Sequence, residues 1–466
     1  MAIIETLRDR ASRLFGHEAS LYGKVTRGAS WVMAGHGAEL AMRLASSLIL
    51  TRLLSPAAFG IMATAQVFIY TAIMVSDVGI RALVITHEDS DDAGFLRTVW
   101  SFQIVRGVVL TALVVTLGQL LGVAQELGWF SADNSFAEPI LPSLLAVLGV
   151  TLAIDGLRST NEHVLERDLR QDFLVKLDTS VKILGIFATV LAVWITRSVW
   201  GFVYATVITA FLRTLLSLQV VPGPRMRWHW DKAYIGYIIK RGKWIGVSSW
   251  TTLATNLADK VLIGAFFGNQ VLGVYTLAHT LADAFHALMT RIANSIAMPA
   301  IRQMLTRAQE QFESVFLRLR TPIHAVSAAV GLSLIALADT IVSGLYDERY
   351  QLAGPMLAIL ALKYLIFHLS LNCFVLEARR EFGRLATFNM IRMVALWTFA
   401  FGLAYAGRLE GLILLIAVNH IVERSLASYR LVSVGLIKLR TEAWSYAVTV
   451  VTLMVAMALL LNSPSI

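Results

Sequence analysis

Apolar residues run along this 466-residue chain in stretches of about 20, separated by short polar breaks, a pattern that fits membrane-spanning helices. Windows of that length place helices near 28–52, 59–80, 97–122, 139–157, 173–195 and 199–221. A second set follows near 244–266, 272–296, 321–343, 352–376, 385–406 and 410–429, and one more near 443–461 closes the series. The stretch from Glu39 to Ile80 sets the theme. Two membrane-length apolar segments flank the break RLLSPAAFG, in which Ser55, Pro56 and Gly60 supply the turn chemistry.

Ahead of the first window, residues 1–27 interleave Arg8, Arg10, Arg13, Lys24 and Arg27 with Glu5, Asp9 and Glu18. They hold no continuous apolar core, so they do not read as a cleavable signal peptide. Ile3, Ile4, Leu7, Leu14 and Phe15 recur near helical spacing; an amphipathic helix on the cytoplasmic membrane surface and a solvated tail both fit that pattern.

Composition fixes the class. With 57% hydrophobic residues and a mean hydropathy of +0.66, the chain is too apolar for a soluble globular protein and reads as all-α and polytopic. The isoelectric point near 9.7 and net charge of +9 raise the question of a nucleic acid partner. Topology answers it. With the N-terminus inside, the inside segments hold 26 Lys and Arg, and the outside loops hold only Arg52, Arg197, Arg349 and Arg408. That alternation is the positive-inside pattern, and it accounts for the basic balance without nucleic acid. The single Cys373 excludes an intramolecular disulfide and a Cys-based zinc site. The longest outside loop, roughly 123–138, is too small for a catalytic domain and carries no Lys or Arg.

The longest basic connection, 222–243, falls after six helices and divides the chain into halves at 28–221 and 244–435, with 436–466 as an extra C-terminal helix. Sliding the sequence by 213 lays Arg43–Gln66 on Asn256–His279 without a gap. Leu44 then meets Leu257, Ala45 meets Ala258, Gly60 meets Gly273 and Ala65 meets Ala278, and the two breaks coincide. The expectation is a parallel repeat of two six-helix lobes about an axis along the membrane normal.

The runs TRLLSPAAFGIMATAQ, SDVGIRALV, NEHVLERDLRQDF and NLADKVLIGAFFGNQVLGVYTLAH resemble the polysaccharide transporter family of oligosaccharide flippases (Wzx-like), within the superfamily that also holds the multidrug MATE exporters and the peptidoglycan precursor flippase. The likeness covers about 28–435. It implies a two-lobed bundle in the bacterial inner membrane that moves undecaprenyl-diphosphate-linked oligosaccharide outward by alternating access, for exopolysaccharide, capsule or O-antigen synthesis. No cofactor or metal is implied. Membrane lipid, a polymerase and glycosyltransferases of the same pathway are the implied partners. Only one helix follows the twelfth here, a departure from the family's common fourteen, so the C-terminus is expected outside. Two other functions remain in view: a MATE-like exporter of small cations, which calls for an acidic cavity, and a membrane glycan polymerase or ligase, which calls for a large outer loop.

Ten cations stay inside the helix windows, where each would cost roughly 2.5–3.5 kcal/mol if it faced lipid at the midplane. The implied diphosphate gives a reason for them, because guanidinium forks suit phosphate oxygens. On that basis Arg43, Arg291, Lys260 and Arg106 are candidate phosphate contacts. His36, Glu39 and Arg43 share one helical stripe, and Glu39 and Arg43 stand at i,i+4. Either they line a cavity or they form a self-neutralised pair between helices. Asp259 is a candidate for ion or proton coupling, with an inter-lobe salt bridge as the alternative. His279, Asp283 and His286 form a second stripe whose spacing is not HExxH, so a proton relay or cavity hydrogen bonding is expected rather than a metal. Asp77, Arg106, Asp155, Lys176, Asp178 and Lys182 lie where long side chains snorkel to the interface; of these only Asp77 and Arg106 stay as site candidates. Lys363 sits near the middle of its helix without an assigned role.

Overall fold

The computed structural model describes residues 37, 41–87, 92–168, 170–307 and 311–461, so the segment expected over 1–27 lies outside the described residues. Every regular element among them is helical. Residues 41–53 form α1. Then come α2 (Pro56–Val75), α3 (Ile80–Thr86), α4 (Ala93–Glu126), α5 (Leu141–Gly156), α6 (Asn161–Arg167), α7 (Gln171–Thr196) and α8 (Val199–Val220). The second half holds α9 (Lys232–Arg307), α10 (Phe312–Leu345), α11 (Ala353–Leu360), α12 (Leu362–Leu365), α13 (Ser370–Ala378), α14 (Phe382–Tyr405), α15 (Leu409–Val418), α16 (His420–Ser433) and α17 (Leu439–Leu461).

Local chemistry sets the element ends. Ser55 stays extended while Pro56 opens α2, where its missing N–H leaves nothing unsatisfied. Asp92 caps α4 by accepting from the backbone N–H groups of Gly94 at 3.2 Å and Phe95 at 3.0 Å. Gly268, at φ 78° and ψ 178°, breaks α9 in a backbone region that is essentially restricted to glycine. A Cβ there would also come within 2.6 Å of the Asp133 carbonyl oxygen. The chain reverses at this point. The Tyr275 hydroxyl reaches Asp259, 16 positions upstream, at 2.7 Å, whereas a straight helix would hold them about 24 Å apart. Thus α9 is two antiparallel arms, matching the separate windows near 244–266 and 272–296.

Among the described residues ten helices are long and apolar enough to cross a membrane, or eleven with α5 and α6, bent by 62°, taken as one span. The thirteen windows exceed this because the two arms of α9 enter as one span and the first window is described only in part. The chain is a multi-pass membrane protein of all-α class. Its span Ala353–Ala378 buries 78% of its apolar window, against 17% for Asp172–Thr196, Phe382–Tyr405 and Leu439–Leu461. The first is therefore central, and the other three turn apolar faces outward, as lipid contact requires.

Two main hydrophobic clusters hold the bundle. One draws its buried residues from Leu50 to Val203, the other, Ala63 apart, from Ala258 to Leu460. Helix α17 is fastened to the second by a buried ion pair, Arg320 Nη1 to Glu442 Oε2 at 2.6 Å, with Asn372 Nδ2 donating to Glu442 Oε1 at 2.9 Å.

Among the described residues the halves pack along α2 and both arms of α9, Val67 lying against Leu253 and Leu257 between two sets of polar and close backbone contacts. At one end Arg349 Nη2 donates to the Thr51 carbonyl at 2.9 Å, Tyr350 Oη to that of Leu54 at 3.1 Å, and Asn269 Nδ2 to Glu138 Oε2 at 3.2 Å. Here α2 crosses the second arm of α9, with Gly60 against Asn269 and Gly273 against Pro56. At the other end Ser249 Oγ donates to Asp77 Oδ2 at 2.8 Å, and Gly242 lies against Val78, whose carbonyl oxygen would stand 2.7 Å from an added Cβ.

Candidate functional site

Two cavities are lined by residues of both halves. The first, about 560 Å³, is lined by Gln66, Val67 and Tyr70 of α2, by Thr255, Asn256, Asp259 and Lys260 of the first arm of α9, and by His279, Asp283 and His286 of the second. Lys363 of α12 and Asn419 and His420 at the α15–α16 break complete it. The hairpin at Gly268 explains the convergence: it folds the second arm back so that residues 20 and more positions apart face each other.

Five ionisable groups at this cavity fall in one row. Tyr275 Oη donates to Asp259 Oδ2 at 2.7 Å. His279 stands between two carboxylates, its Nε2 3.6 Å from Asp259 Oδ2 and its Nδ1 3.0 Å from Asp283 Oδ2. Lys363 Nζ donates to Asp283 Oδ1 at 2.7 Å. Tyr275 and Asp259 are buried, and Asp283 is half exposed to the cavity. The His279–Asp259 contact at 3.6 Å is electrostatic rather than a hydrogen bond, and through it and the closer contacts a change of charge at one member is felt by the next. His286 packs edge-on against Tyr364 and Phe367, with ring centroids 6.0 and 5.5 Å away.

The second cavity, about 750 Å³, is lined mainly by the first half. Arg43, Ser46 and Ser47 of α1, Asp155 of α5, Asp178, Lys182 and Thr189 of α7, Thr206, Thr209 and Arg213 of α8, and Thr280 of α9 line it. Arg213 is already engaged, with Nη1 and Nη2 on Glu162 at 2.8 and 2.9 Å and Nη2 on Asp178 at 2.7 Å. Ser47 Oγ lies 3.0 Å from the Tyr346 hydroxyl. Three cations against the carboxylates Asp155 and Asp178, together with the hydroxyl groups, suit a ligand that is both anionic and rich in oxygen.

The sequence-derived candidates divide accordingly. Lys260, Asp259, His279, Asp283 and His286 meet in the first cavity, and Arg43 lines the second. Two candidates line neither. Arg106 donates to the Ile73 carbonyl at 2.8 Å and to Ser76 Oγ at 3.0 Å, satisfying the C-terminal end of α2. Asp77 accepts from the Gly79 N–H at 2.8 Å and from Ser249, bridging the halves. His36, Glu39 and the side chain of Arg291 lie outside the described residues, so the Glu39–Arg43 pair does too. Asp155, Asp178 and Lys182, read from sequence as snorkelling side chains, line this second cavity, with Lys182 exposed. A signal for this exists: positions 178, 182, 185 and 189 share one helical face, and 206, 209 and 213 share another. Lys363 joins the site through Asp283, 80 positions away, which sequence spacing does not reveal.

A family model described as "Polysaccharide biosynthesis protein" matches residues 49–355. Among curated proteins the chain is 21% identical over 301 residues to the teichuronic acid biosynthesis protein TuaB of Bacillus subtilis (strain 168), covering 62% of this chain and 57% of that one. It is 21% identical over 345 residues to the lipopolysaccharide biosynthesis protein WzxC of Escherichia coli (strain K12), covering 73% and 67%. The matched part thus spans between 57% and 67% of these relatives' own length. Among solved structures, the lipid II flippase MurJ in an inward closed conformation superposes with a TM-score of 0.65 at 12% identity, over 91% of this chain and 92% of that one. An inward-facing multidrug resistance MATE transporter gives 0.64 at 15% identity, over 85% and 95%. These two likenesses establish a shared fold.

Proposed function

The chain belongs to the family of polysaccharide biosynthesis proteins, and from that premise we propose that it is a flippase for undecaprenyl-diphosphate-linked oligosaccharide, a transporter rather than an enzyme. The observation that carries this reading is the pair of charged, hydroxyl-bearing cavities lined by residues of both halves, with hydrogen bonds joining the halves toward either end of their seam. A transporter needs a polar chamber with a separable contact at each end.

In this account the halves 28–221 and 244–435 rock as two lobes in the bacterial inner membrane, with the N-terminus in the cytoplasm. Arg43 and Lys182 in the second cavity, and Lys260 in the first, meet the diphosphate; Arg291 is assigned the same task. The serine and threonine hydroxyls hydrogen-bond the glycan, and the polyprenyl tail stays in lipid. The chain Tyr275–Asp259–His279–Asp283–Lys363 couples protonation to the rocking. An inside-negative potential favours outward movement of an anion by about 2.3 kcal/mol per charge per 100 mV, roughly twice that for a diphosphate. A polymerase and glycosyltransferases of one glycan pathway are the working partners.

The cavity chemistry disfavours export of small cations. Asp283 is paired by Lys363 and His279, so the chamber does not present it as an open carboxylate for a cationic drug. Reconstitution into proteoliposomes with a fluorescent polyprenyl-diphosphate oligosaccharide tests the reading. Protein-dependent translocation supports it, whereas efflux of a cationic dye with no movement of the glycolipid contradicts it.

A further inference from the structure

Where the second arm of α9 ends, α13 stops and α14 begins, a separate pocket of about 310 Å³ opens, lined by Arg302, Thr306, Glu377, Arg380 and Phe382. It sits at the ends of the spans Ala353–Ala378 and Phe382–Tyr405, so it lies at the level of a membrane surface rather than of the membrane core.

Its charge is unbalanced. Among the described residues neither Arg302 nor Arg380 has a carboxylate partner. Beside them Glu381 gathers three guanidinium groups, Arg379 at 2.9 Å, Arg430 at 3.1 Å and Arg384. The corner therefore holds five arginines, 302, 379, 380, 384 and 430, against the two carboxylates Glu377 and Glu381.

The backbone at Arg380 adds an independent observation. The Arg380 N–H donates to the Glu377 carbonyl and the Glu381 N–H to that of Leu376, both at 2.9 Å, which closes α13 in a Schellman turn. Arg380 occupies its left-handed position at φ 61°, where glycine is the favoured residue. The chain holds a guanidinium there at the expense of backbone ease, as sites do when the side chain has a task. Next to it Phe382 is 58% exposed at the start of a span, where an aromatic ring sits at headgroup level.

We propose that this corner binds the phosphate headgroup of an anionic membrane lipid. Arg302 and Arg380 grip phosphate oxygens with their planar forks, and Phe382 seats the acyl region beside them. In the orientation that the positive-inside pattern implies, this corner faces the cytoplasmic leaflet, whose anionic lipids draw juxtamembrane arginines. The polyprenyl carrier presents the same phosphate chemistry, so the experiment separates the two sources.

Native mass spectrometry of the full chain, loaded in parallel with phosphatidylglycerol, phosphatidylethanolamine or a polyprenyl phosphate, provides the test. Both arginines are surface residues, so R302Q and R380Q are expected to fold. The double variant is expected to lose retained phosphatidylglycerol at least fivefold, with phosphatidylethanolamine unchanged. R380G separates binding from structure: it relieves the left-handed backbone, so thermal stability holds or rises while phosphatidylglycerol retention falls. Loss of polyprenyl phosphate alone would overturn the membrane-lipid assignment in favour of the carrier. Unchanged retention of both anionic lipids in the double variant would overturn the site.

Discussion

Gly60 and Gly273 oppose each other where α2 crosses the second arm of α9: a side chain on Gly60 would overlap the Asn269 carbonyl oxygen, and one on Gly273 would overlap that of Pro56. The relation is reciprocal, and the sequence offset of 213 that pairs Gly60 with Gly273 also pairs Pro56 with Asn269. Each glycine lets a backbone approach that no side chain permits.

Substitution at this crossing therefore forces the helices apart. Gly60→Val and Gly273→Val are each expected to lower stability by about 1–3 kcal/mol through overpacking. Thermal unfolding in detergent measures this, and an unchanged melting temperature would show that the crossing tolerates bulk.

The Asp283–Lys363 contact predicts a coupled pair. Asp283→Asn strands Lys363, whereas Lys363→Met leaves Asp283 with His279, so the first single variant destabilises more than the second and the two changes are not additive. The double-mutant cycle should return a coupling of about 0.5–3 kcal/mol. Transport should stay at least tenfold down in the double variant, because the relay is broken even where stability recovers.

At Arg320 and Glu442 both partners are buried, so removing one leaves a lone charge. Glu442→Ala should cost about 3–5 kcal/mol, whereas the apolar pair Arg320→Met with Glu442→Leu should be far milder. Equal losses from the single and double changes would mean that desolvation is not the governing effect.

Glu381 gives a pH dependence with a defined sign. Burial opposes its ionisation, but hydrogen bonds from Arg379, Arg384 and Arg430 outweigh that and hold its carboxyl down to about 2, from an ordinary 4.5. A carboxyl held low in the folded state contributes stability above pH 4.5, and the contribution fades as pH falls toward 2. Melting curves over that window should flatten in Glu381→Gln, and an identical pH slope in the variant would rule the cluster out as its source.

The helices and their hairpin breaks are legible in the sequence because lipid demands long apolar runs and turn residues punctuate them. Ser55 and Pro56 mark their reversal by type alone, whereas Gly60, read with them as turn chemistry, lies inside α2 and serves the close crossing with α9 instead. The stripe of His279, Asp283 and His286 is legible for the same reason, since one helix face carries it. What stays hidden is contact between distant elements: Lys363 with Asp283, or Arg106 with the end of α2. Asp178 and Lys182 show a different limit. A polar residue in the inner part of a helix has the same sequence pattern whether or not a neighbouring helix builds a cavity over it, and only packing separates the two.

Translocation of a polyprenyl-diphosphate oligosaccharide in proteoliposomes, with Arg43→Gln beside the unsubstituted chain, tests the central claim most directly. The account predicts protein-dependent flipping that is lost in Arg43→Gln while the variant still inserts and unfolds at the same temperature. Full transport by Arg43→Gln, or a rate no higher than in protein-free vesicles for the unsubstituted chain, would contradict it.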